Sequence, residues 1–389
     1  MKKAVCVLIA VIMAFSACAV TCFAKEKKKE DSSLNVKAKA AVLMDTATGK
    51  VLWAKNEHES MYPASVTKIM PLLLFMEAID SGKISAEDKV TCSPEAAAKG
   101  GSQIWLKDGE TMTVDELLRA VAIASANDAC CALGEYIAGS ESAFVDMMNK
   151  RAEELNMKDT HFDNCSGLDD DTDTHKSSAY DIAVMGKELL RHEGIQKYST
   201  VWMDSLRDGK TQLVNTNKLV RFYKGTTGLK TGTTSKAGKC LCASAKRDSL
   251  HLIAVVLGCE TSDDRFESAK ALLNYGFANY ETVELDFDKS LIADVNVIKG
   301  AQRKITPQVG ETKKITLKKG EKEKIVTEIS LASEVEAPVE EKQIVGAVEF
   351  KLGDEIIGRS ELYCGGGVRR MKLTDALIML FASLGRTQK

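Results

Sequence analysis

The sequence SVTK at residues 65–68 decides how this 389-residue chain is interpreted, because it places a serine and a lysine three positions apart. Two more short motifs follow it, SAN at residues 125–127 and KTG at residues 230–232. S-x-x-K and K-T-G each occur once, and the second S-x-N copy, at residues 33–35, lies in a polar lead-in ahead of the serine. Each motif alone is weak, but the three in this order indicate a nucleophilic serine site.

Ser65 and Lys68 are the expected catalytic pair. Residues three apart on a helix lie on one face, and apolar residues at helical spacing predict a helix from Ser65 to about Asp80. Ser65 would then lie in the first turn, where the helix dipole stabilises negative charge developing on its oxygen. Pro71 predicts a kink or an early end of this helix. For this pair alone, a solvated helix start is the other interpretation.

Lys68 acts as a base only when it is neutral, so its surroundings must lower its pKa. Burial and a second nearby cation both lower the pKa of a lysine, and Lys230 is the expected cation. Ser125 is expected to relay a proton, and Asn127 to offer an amide to the substrate backbone. An ordinary helix cap would also explain Ser125 and Asn127.

The KTG segment is predicted to lie on a strand that flanks the site. Gly232 would leave room for a substrate along the strand edge, while Thr231 and Thr233 would offer hydroxyls to a substrate carboxylate. A turn before a strand is the structural alternative for this segment.

With these residues placed, the chain from about Val36 to about Tyr280 resembles the low-molecular-mass penicillin-binding proteins, which are serine-type D-alanyl-D-alanine carboxypeptidases. Thr233 stands where relatives often carry histidine, and Pro71 is unusual, but neither departure removes a catalytic group. Beyond the three motifs, the resemblance rests on FDNCSGLD at residues 162–169, SSAYDIA at 177–183, GLKTGTTSKAG at 228–238 and ALLNYGF at 271–277.

The resemblance implies a reaction through an acyl-enzyme. Ser65 would attack the carbonyl between the last two D-alanines of a peptidoglycan stem pentapeptide, and Lys68 would take its proton. Ser125, held by Lys230, would protonate the leaving D-alanine, and the backbone N–H groups of Ser65 and Thr233 would form the oxyanion hole. β-Lactam antibiotics would be trapped on Ser65 as inhibitors. The resemblance implies no metal and no organic cofactor.

Arg265 resembles the family's arginine at the start of the closing helix. A guanidinium pairs well with a carboxylate, so Arg265 joins Thr231 and Thr233 as a candidate for binding the free end of the substrate. A surface salt bridge with a neighbouring Asp263, Asp264 or Glu267 is the alternative.

Periodicity predicts an α/β (α+β) fold. Strands from both ends of one domain would form an antiparallel sheet around a helical insert, with helices on both faces. This is also the penicillin-binding and β-lactamase-like catalytic fold that the resemblance implies. The predicted strands are Ala40–Asp45, Lys50–Lys55, Lys239–Ala245 and Leu250–Gly258; the predicted helices include Val114–Tyr136, Ser142–Leu155, Ala179–His192 and one from Asp263 to about Tyr280.

Five segments are expected along the chain. Residues 1–24 are typical of a signal peptide. The alternative interpretations are a membrane helix that is retained and a lipoprotein cleavage box at Cys18. Secretion across the cytoplasmic membrane follows, with an extracytoplasmic location. The other segments are a charged lead-in (25–35), the catalytic domain (36–281), a small all-β C-terminal domain (282–364) and an amphipathic helix (365–389).

The C-terminal helix carries leucines and a phenylalanine on one face, preceded by Arg369, Arg370 and Lys372. It is far too short to span a bilayer. It could lie on the membrane surface beside anionic headgroups, which would attach the protein peripherally to the outer face of the cytoplasmic membrane. Docking on the protein's own β domain is the alternative.

Composition excludes several other classes of partner. The formal net charge of −2 gives no electrostatic basis for binding nucleic acid. Of eleven cysteines, Cys6, Cys18 and Cys22 lie in the leader, and no C-x-x-C pair exists among the other eight. These eight are expected to be buried free thiols, with no metal site. A monomer is expected.

Two rival functions share the motifs. A class A β-lactamase carries E-x-x-L-N after its second motif, but here EELN at residues 153–156 is one residue too tight, and Ala126 stands where an aspartate belongs. A non-catalytic peptidoglycan-binding module would be expected to lose at least one motif residue, and none is lost. A peptidase is therefore the favoured interpretation.

Overall fold

The computed structural model describes residues 34–169 and 172–377. Its centre is a five-stranded sheet in the order β2-β1-β9-β8-β7, in which every neighbouring pair is antiparallel. The two hairpins at its ends come from opposite ends of the catalytic segment, as predicted. The strands are β1 (Ala40–Asp45), β2 (Val51–Lys55), β7 (Thr226–Thr234), β8 (Gly238–Arg247) and β9 (Leu250–Cys259).

Everything between β2 and β7 is an insert of helices with two small hairpins. One apolar cluster joins this insert to one sheet face, and a second cluster packs the closing helix on the other face. The predicted fold class, an antiparallel sheet with a helical insert and helices on both faces, is confirmed. The helices are α1 (Ile69–Asp80), α2 (Pro94–Ala97), α3 (Val114–Arg119), α4 (Asn127–Ala138), α5 (Glu141–Glu154), α6 (Ala179–Leu189), α7 (Gln196–Ser199), α8 (Leu219–Phe222) and α9 (Ser262–Asn279); the hairpins pair β3 (Lys89–Thr91) with β4 (Thr111–Thr113) and β5 (Met203–Leu206) with β6 (Thr211–Val214).

Pro71 does not shorten the first helix, so that expectation is wrong. The segment begins with a 3₁₀ turn, Ala64–Lys68, and the α-helix proper starts only at Ile69. Pro71 therefore lies in the first turn of α1, where backbone N–H groups have no intrahelical partner to lose. The helix continues without interruption to Asp80.

The predicted helix Val114–Tyr136 is also wrong as a single element. After α3 the backbone passes through a π-helical turn, Ala120–Ala124, and Ser125 then adopts a left-handed conformation with φ of 65°. A new helix, α4, begins at Asn127. Apolar periodicity continues across the break because both sides pack into the same core, so the sequence pattern did not reveal it.

Beyond α9 and up to Cys364 the chain forms strands joined by turns and two short 3₁₀ helices, Lys289–Leu291 and Lys322–Lys324. Three small sheets are formed, in the orders β10-β14, β12-β11-β16 and β13-β18-β17-β15. The strands are β10 (Tyr280–Glu284), β11 (Val295–Ile298), β12 (Lys304–Ile305), β13 (Pro307–Val309), β14 (Lys314–Lys318), β15 (Ile325–Leu331), β16 (Glu334–Glu336), β17 (Ile344–Leu352) and β18 (Glu355–Cys364).

A buried carboxylate links the central sheet to this β-rich region. Asp45, at the end of β1, accepts hydrogen bonds from the hydroxyls of Thr48 (2.6 Å) and Thr316 (2.5 Å). Lys50 donates to the carbonyl of Thr316 at 3.1 Å. The β1–β2 turn therefore serves as the attachment point for β14.

The expected C-terminal helix is only partly described. Residues 373–377 are helical, and Leu373 and Leu377 are exposed instead of docked on the β-rich region. The rest of that helix, the signal segment and nearly all of the charged lead-in lie outside the described residues. Within residues 34–169 and 172–377, no helix has the length and apolarity to cross a membrane.

Candidate active site

The first motif forms the floor of the site. Lys68 is fully buried, and its Nζ lies 3.0 Å from Ser65 Oγ and 2.7 Å from the carbonyl oxygen of Ser166. Ser65 is only half-buried, so its hydroxyl can meet a ligand while the amine beneath it is shielded from water. The predicted contact between the two side chains is made, although in a 3₁₀ turn instead of an α-helix.

Burial lowers the pKa of Lys68 to about 8. A charged amine loses its hydration in a site of low polarity, so the neutral form gains population. Lys230 was expected to contribute to this shift, but burial accounts for the lowering of the Lys68 pKa. The repulsion between the two lysines affects Lys230 instead. Burial is the largest cause and the charge of Lys68 the next, and together they hold the pKa of Lys230 well below its usual range.

The expected hydrogen bond from Lys230 to Ser125 is not made. Ser125 Oγ and Lys230 Nζ are both buried, and neither finds a hydrogen-bond partner among the described residues. Ser125 is set by the left-handed turn before α4 and Lys230 by strand β7, so their positions are fixed independently. Unsatisfied buried polar groups are costly and rare, which indicates that both groups are positioned for a ligand.

Asn127 is held by the loop that contains Gly100 and Ser102. Its backbone N–H donates to the carbonyl of Ser102, and its Nδ2 donates to the carbonyl of Gly100, both at 2.7 Å. Its Oδ1 is buried and has no partner among residues 34–169 and 172–377. The side chain therefore presents an acceptor, suited to a backbone N–H of a substrate.

Gly232 allows β7 to approach the 3₁₀ turn that carries Ser65. A Cβ at this position would lie 2.7 Å from the Pro63 carbonyl oxygen, 3.0 Å from the Ala64 Cβ and 3.1 Å from the Ser65 nitrogen. From the motif, Gly232 was expected to make room for a substrate along the strand edge. The structure gives the glycine a second reason, the packing of the KTG strand directly against the serine turn.

Arg265 points at the KTG strand. Its Nη1 donates to the Gly232 carbonyl and to Thr233 Oγ1, each at 3.1 Å. The alternative of a salt bridge with its acidic neighbours is not seen in the described chain, where Asp264 pairs with Lys37 at 2.9 Å. Thr231 Oγ1 donates to Thr216 at 2.7 Å, so Thr233 is the more exposed hydroxyl at the strand edge.

The sequence patterns did not identify functional residues at two places in the chain, Ser166–Gly167 and His175. The Ser166 carbonyl binds Lys68, and Gly167 (φ 83°) lies so close to the serine turn that a Cβ would stand 1.9 Å from the Ala64 carbonyl oxygen. His175 is buried, which lowers its pKa to about 4, and it lies 2.8 Å from Thr67 Oγ1. Both belong to the FDNCSGLD segment or follow it closely, so the resemblance pointed to the segment without giving the roles.

A thiol-rich cluster lies behind the serine turn. The ligand-type atoms of Cys131, Glu141 and Cys165 lie within 4.8 Å of one another. Glu141 accepts a hydrogen bond from the Cys165 thiol at 3.2 Å and pairs with Lys99, while the Cys131 thiol lies 3.7 Å from a carboxylate oxygen of Glu135. All eight cysteines of the described chain are buried and free, which confirms the expectation of buried thiols.

Comparison with known proteins agrees with this geometry. Residues 25–261 match the family model for D-alanyl-D-alanine carboxypeptidase, and residues 280–370 match the C-terminal domain of penicillin-binding protein 5. D-alanyl-D-alanine carboxypeptidase DacF of Bacillus subtilis is 45% identical over 350 residues, which cover 88% of each chain.

Solved structures show the same likeness. Penicillin-binding protein 5 from Haemophilus influenzae has a TM-score of 0.75 and 32% identity, covering 86% of this chain and 98% of that one. Penicillin-binding protein D2 from Listeria monocytogenes, in its ampicillin-bound form, has a TM-score of 0.55 and 30% identity, covering 63% of this chain and 98% of its own.

The contact of Gly232 with the serine turn leads to a stability prediction. Gly232→Ala should lower the free energy of unfolding by about 1–3 kcal/mol, the usual cost of forcing an extra methyl into a packed site. Urea denaturation of the purified protein measures it. Gly366→Ala is the control, because a Cβ there meets nothing within 4 Å, and it should change the free energy by less than about 0.5 kcal/mol. Equal stability of the two variants would contradict the packing role.

Proposed function

This chain belongs to the D-alanyl-D-alanine carboxypeptidase family, and from that membership we propose how its own residues carry out the reaction. Ser65 attacks the carbonyl between the last two D-alanines of a peptidoglycan stem pentapeptide and forms an acyl-enzyme, which water then hydrolyses. The observation that carries this proposal is the 3.0 Å contact between Ser65 Oγ and a fully buried Lys68 Nζ.

Lys68 acts as the base. With a pKa of about 8, a useful fraction of the amine is neutral near pH 7, and its lone pair can accept the Ser65 proton across the same contact. The Ser166 carbonyl, 2.7 Å away, accepts a hydrogen bond from the amine and holds it in place throughout. Proton transfer then needs no movement of the lysine.

Ser125 and Lys230 complete the proton path when the substrate is bound. Neither has a partner among the described residues, so both are available to the leaving D-alanine. Ser125 donates its proton to the leaving nitrogen and receives in turn the proton that Lys68 took from Ser65. Burial lowers the pKa of Lys230, but the substrate carboxylate and the developing anion favour its protonated form, so Lys230 supplies positive charge when the substrate is bound. The backbone N–H groups of Ser65 and Thr233 form the oxyanion hole, which the close packing of Gly232 on the serine turn supports.

The free carboxylate of the substrate is bound at the end of the KTG strand. Thr233 provides an exposed hydroxyl, and Thr231 adds a second one when its hydroxyl turns from Thr216 to the ligand. Arg265 places a guanidinium behind Thr233, with two hydrogen bonds to the strand. A positive charge in this position favours a peptide that ends in a carboxylate over one that continues. Asn127 Oδ1 binds a backbone N–H on the acyl side of the scissile bond.

β-Lactam antibiotics enter the same site as inhibitors and acylate Ser65. The Listeria relative was solved with ampicillin bound, and this chain shares its fold. Family membership also favours the peptidase over the β-lactamase and over a non-catalytic module.

The finer organisation of the protein is part of the same proposal. Residues 1–24 act as the signal peptide, residues 36–281 as the catalytic domain and residues 282–364 as a small β domain. The monomeric enzyme is extracytoplasmic and attached to the membrane surface by the helix within residues 365–389. The exposure of Leu373 and Leu377 supports this attachment, because both would be covered by the interface.

Ser65→Ala tests the nucleophile. The variant should take up no fluorescent penicillin and release no D-alanine from a stem pentapeptide, with product masses read by mass spectrometry. Its melting temperature should stay close to that of the wild type, because a half-buried hydroxyl at a cleft contributes little stability. Ser249→Ala removes an exposed hydroxyl that donates to the Thr282 carbonyl, and it is the control that keeps both activities. Labelling of the Ser65→Ala protein would disprove the assignment.

Lys68→Arg and Lys230→Arg separate the base from the fixed charge. Guanidinium is not deprotonated in proteins, so Lys68→Arg should abolish acylation by penicillin. Lys230→Arg keeps a positive charge and should retain part of the acylation rate. Stopped-flow labelling rates of both variants give the comparison. The opposite ranking would reverse the two roles.

Arg265→Ala tests carboxylate recognition. Turnover of a peptide ending in D-Ala-D-Ala should fall about tenfold or more, the effect of losing a charged hydrogen bond. Turnover of the same peptide with an amidated C-terminus should already be poor and should barely change. Arg359→Ala, in the β-rich region, is the matched control. Equal losses on both substrates would show that Arg265 stabilises the fold and does not bind the substrate carboxylate.

A further inference from the structure

Trp105 is exposed beside the second motif. It is 74% accessible, although its neighbours Ile104 and Leu106 are buried. Its backbone has a positive φ of 60°, a conformation that is rare and costly for a bulky residue. Strain of this kind persists only where the surroundings enforce it, and it is concentrated at functional sites.

A buried carboxylate enforces this conformation. Asp128 accepts the backbone N–H groups of Ile104, at 3.2 and 3.3 Å, and of Leu106, at 3.0 Å. From the other side, Arg207 donates to the Ile104 carbonyl at 2.8 Å. The residues on both sides of Trp105 are therefore clamped, and the indole is held outward on a fixed backbone.

The same loop is attached to the active site. Asp128 directly follows Asn127, and the carbonyls of Gly100 and Ser102 accept both hydrogen bonds that Asn127 donates. The position of Trp105 is thus coupled to the asparagine that binds the acyl side of the substrate. Among the described residues, no other aromatic ring packs against the Trp105 indole.

We propose that Trp105 is a specificity-determining residue that packs against the aliphatic side chain of the substrate residue just before D-Ala-D-Ala. The inference rests on the proposed function, in which the leaving D-alanine faces Thr233 and Arg265. The acyl part must then extend past Asn127, towards the loop that carries Trp105. A rigid, flat indole gains free energy by covering methylene groups at little cost in conformational entropy.

A peptide series measures the contact. Acetyl-X-D-Ala-D-Ala substrates with X as glycine, alanine, norvaline and norleucine lengthen one unbranched side chain. For the wild type, kcat/KM should rise about threefold for each added methylene, the value expected for partial burial. For Trp105→Ala the series should be flat, and Trp105→Phe should keep an intermediate slope.

Two controls separate recognition from folding. Phe222→Ala removes an aromatic side chain that is 68% exposed on α8, and it should leave the slope unchanged. The melting temperature of Trp105→Ala should stay close to that of the wild type, which shows that a flat series does not come from misfolding.

Each contrary result has a distinct meaning. A slope that survives in Trp105→Ala, or a flat series in the wild type, overturns this inference while the proposed function stands. If the wild type hydrolyses no peptide and takes up no penicillin, the proposed function fails and this inference fails with it.

Discussion

The site depends on one constraint, the complete burial of a lysine amine between a serine hydroxyl and a backbone carbonyl. In water Lys68 would be protonated and could not act as a base. Enclosed 3.0 Å from Ser65 and 2.7 Å from the Ser166 carbonyl, it has a pKa of about 8, because burial disfavours its charge. The carbonyl orients the amine towards the serine, and only the serine is left partly open.

Close backbone packing maintains this burial from two sides. Gly232 lets the KTG strand press on the serine turn, and Gly167 lets the Ser166 segment lie against the Ala64 carbonyl. A side chain at Gly232 would push the KTG strand away from the serine turn, and a side chain at Gly167 would push away the Ser166 segment. Two polar groups beside the serine turn, Ser125 Oγ and Lys230 Nζ, are buried and lack hydrogen-bond partners in the described chain. Both groups are in place before a substrate arrives, as expected for a preorganised electrostatic site.

Local spacing predicted the catalytic pair because a separation of three residues brings two side chains together in either a 3₁₀ or an α-helical turn. Strand alternation likewise predicted that strands from both ends of the catalytic segment form one antiparallel sheet. The contact between Lys68 and the Ser166 carbonyl could not be predicted from local spacing, since the two residues are 98 positions apart in sequence. The left-handed Ser125 was hidden because apolar periodicity runs unbroken through it. The strained Trp105 likewise depends on a carboxylate, Asp128, that carries no local sequence signal.

The pKa of Lys68 tests the central claim most directly. In protein labelled with ¹³C-lysine, the Cε resonance of Lys68, assigned from its absence in Lys68→Arg, can be followed by NMR as the pH is raised. Burial predicts a titration midpoint near pH 8, with the neutral amine gaining population as the pH passes through that value. A midpoint above about 10, where exposed lysines titrate, would contradict the account, because Lys68 would then be charged at the pH at which it must accept a proton.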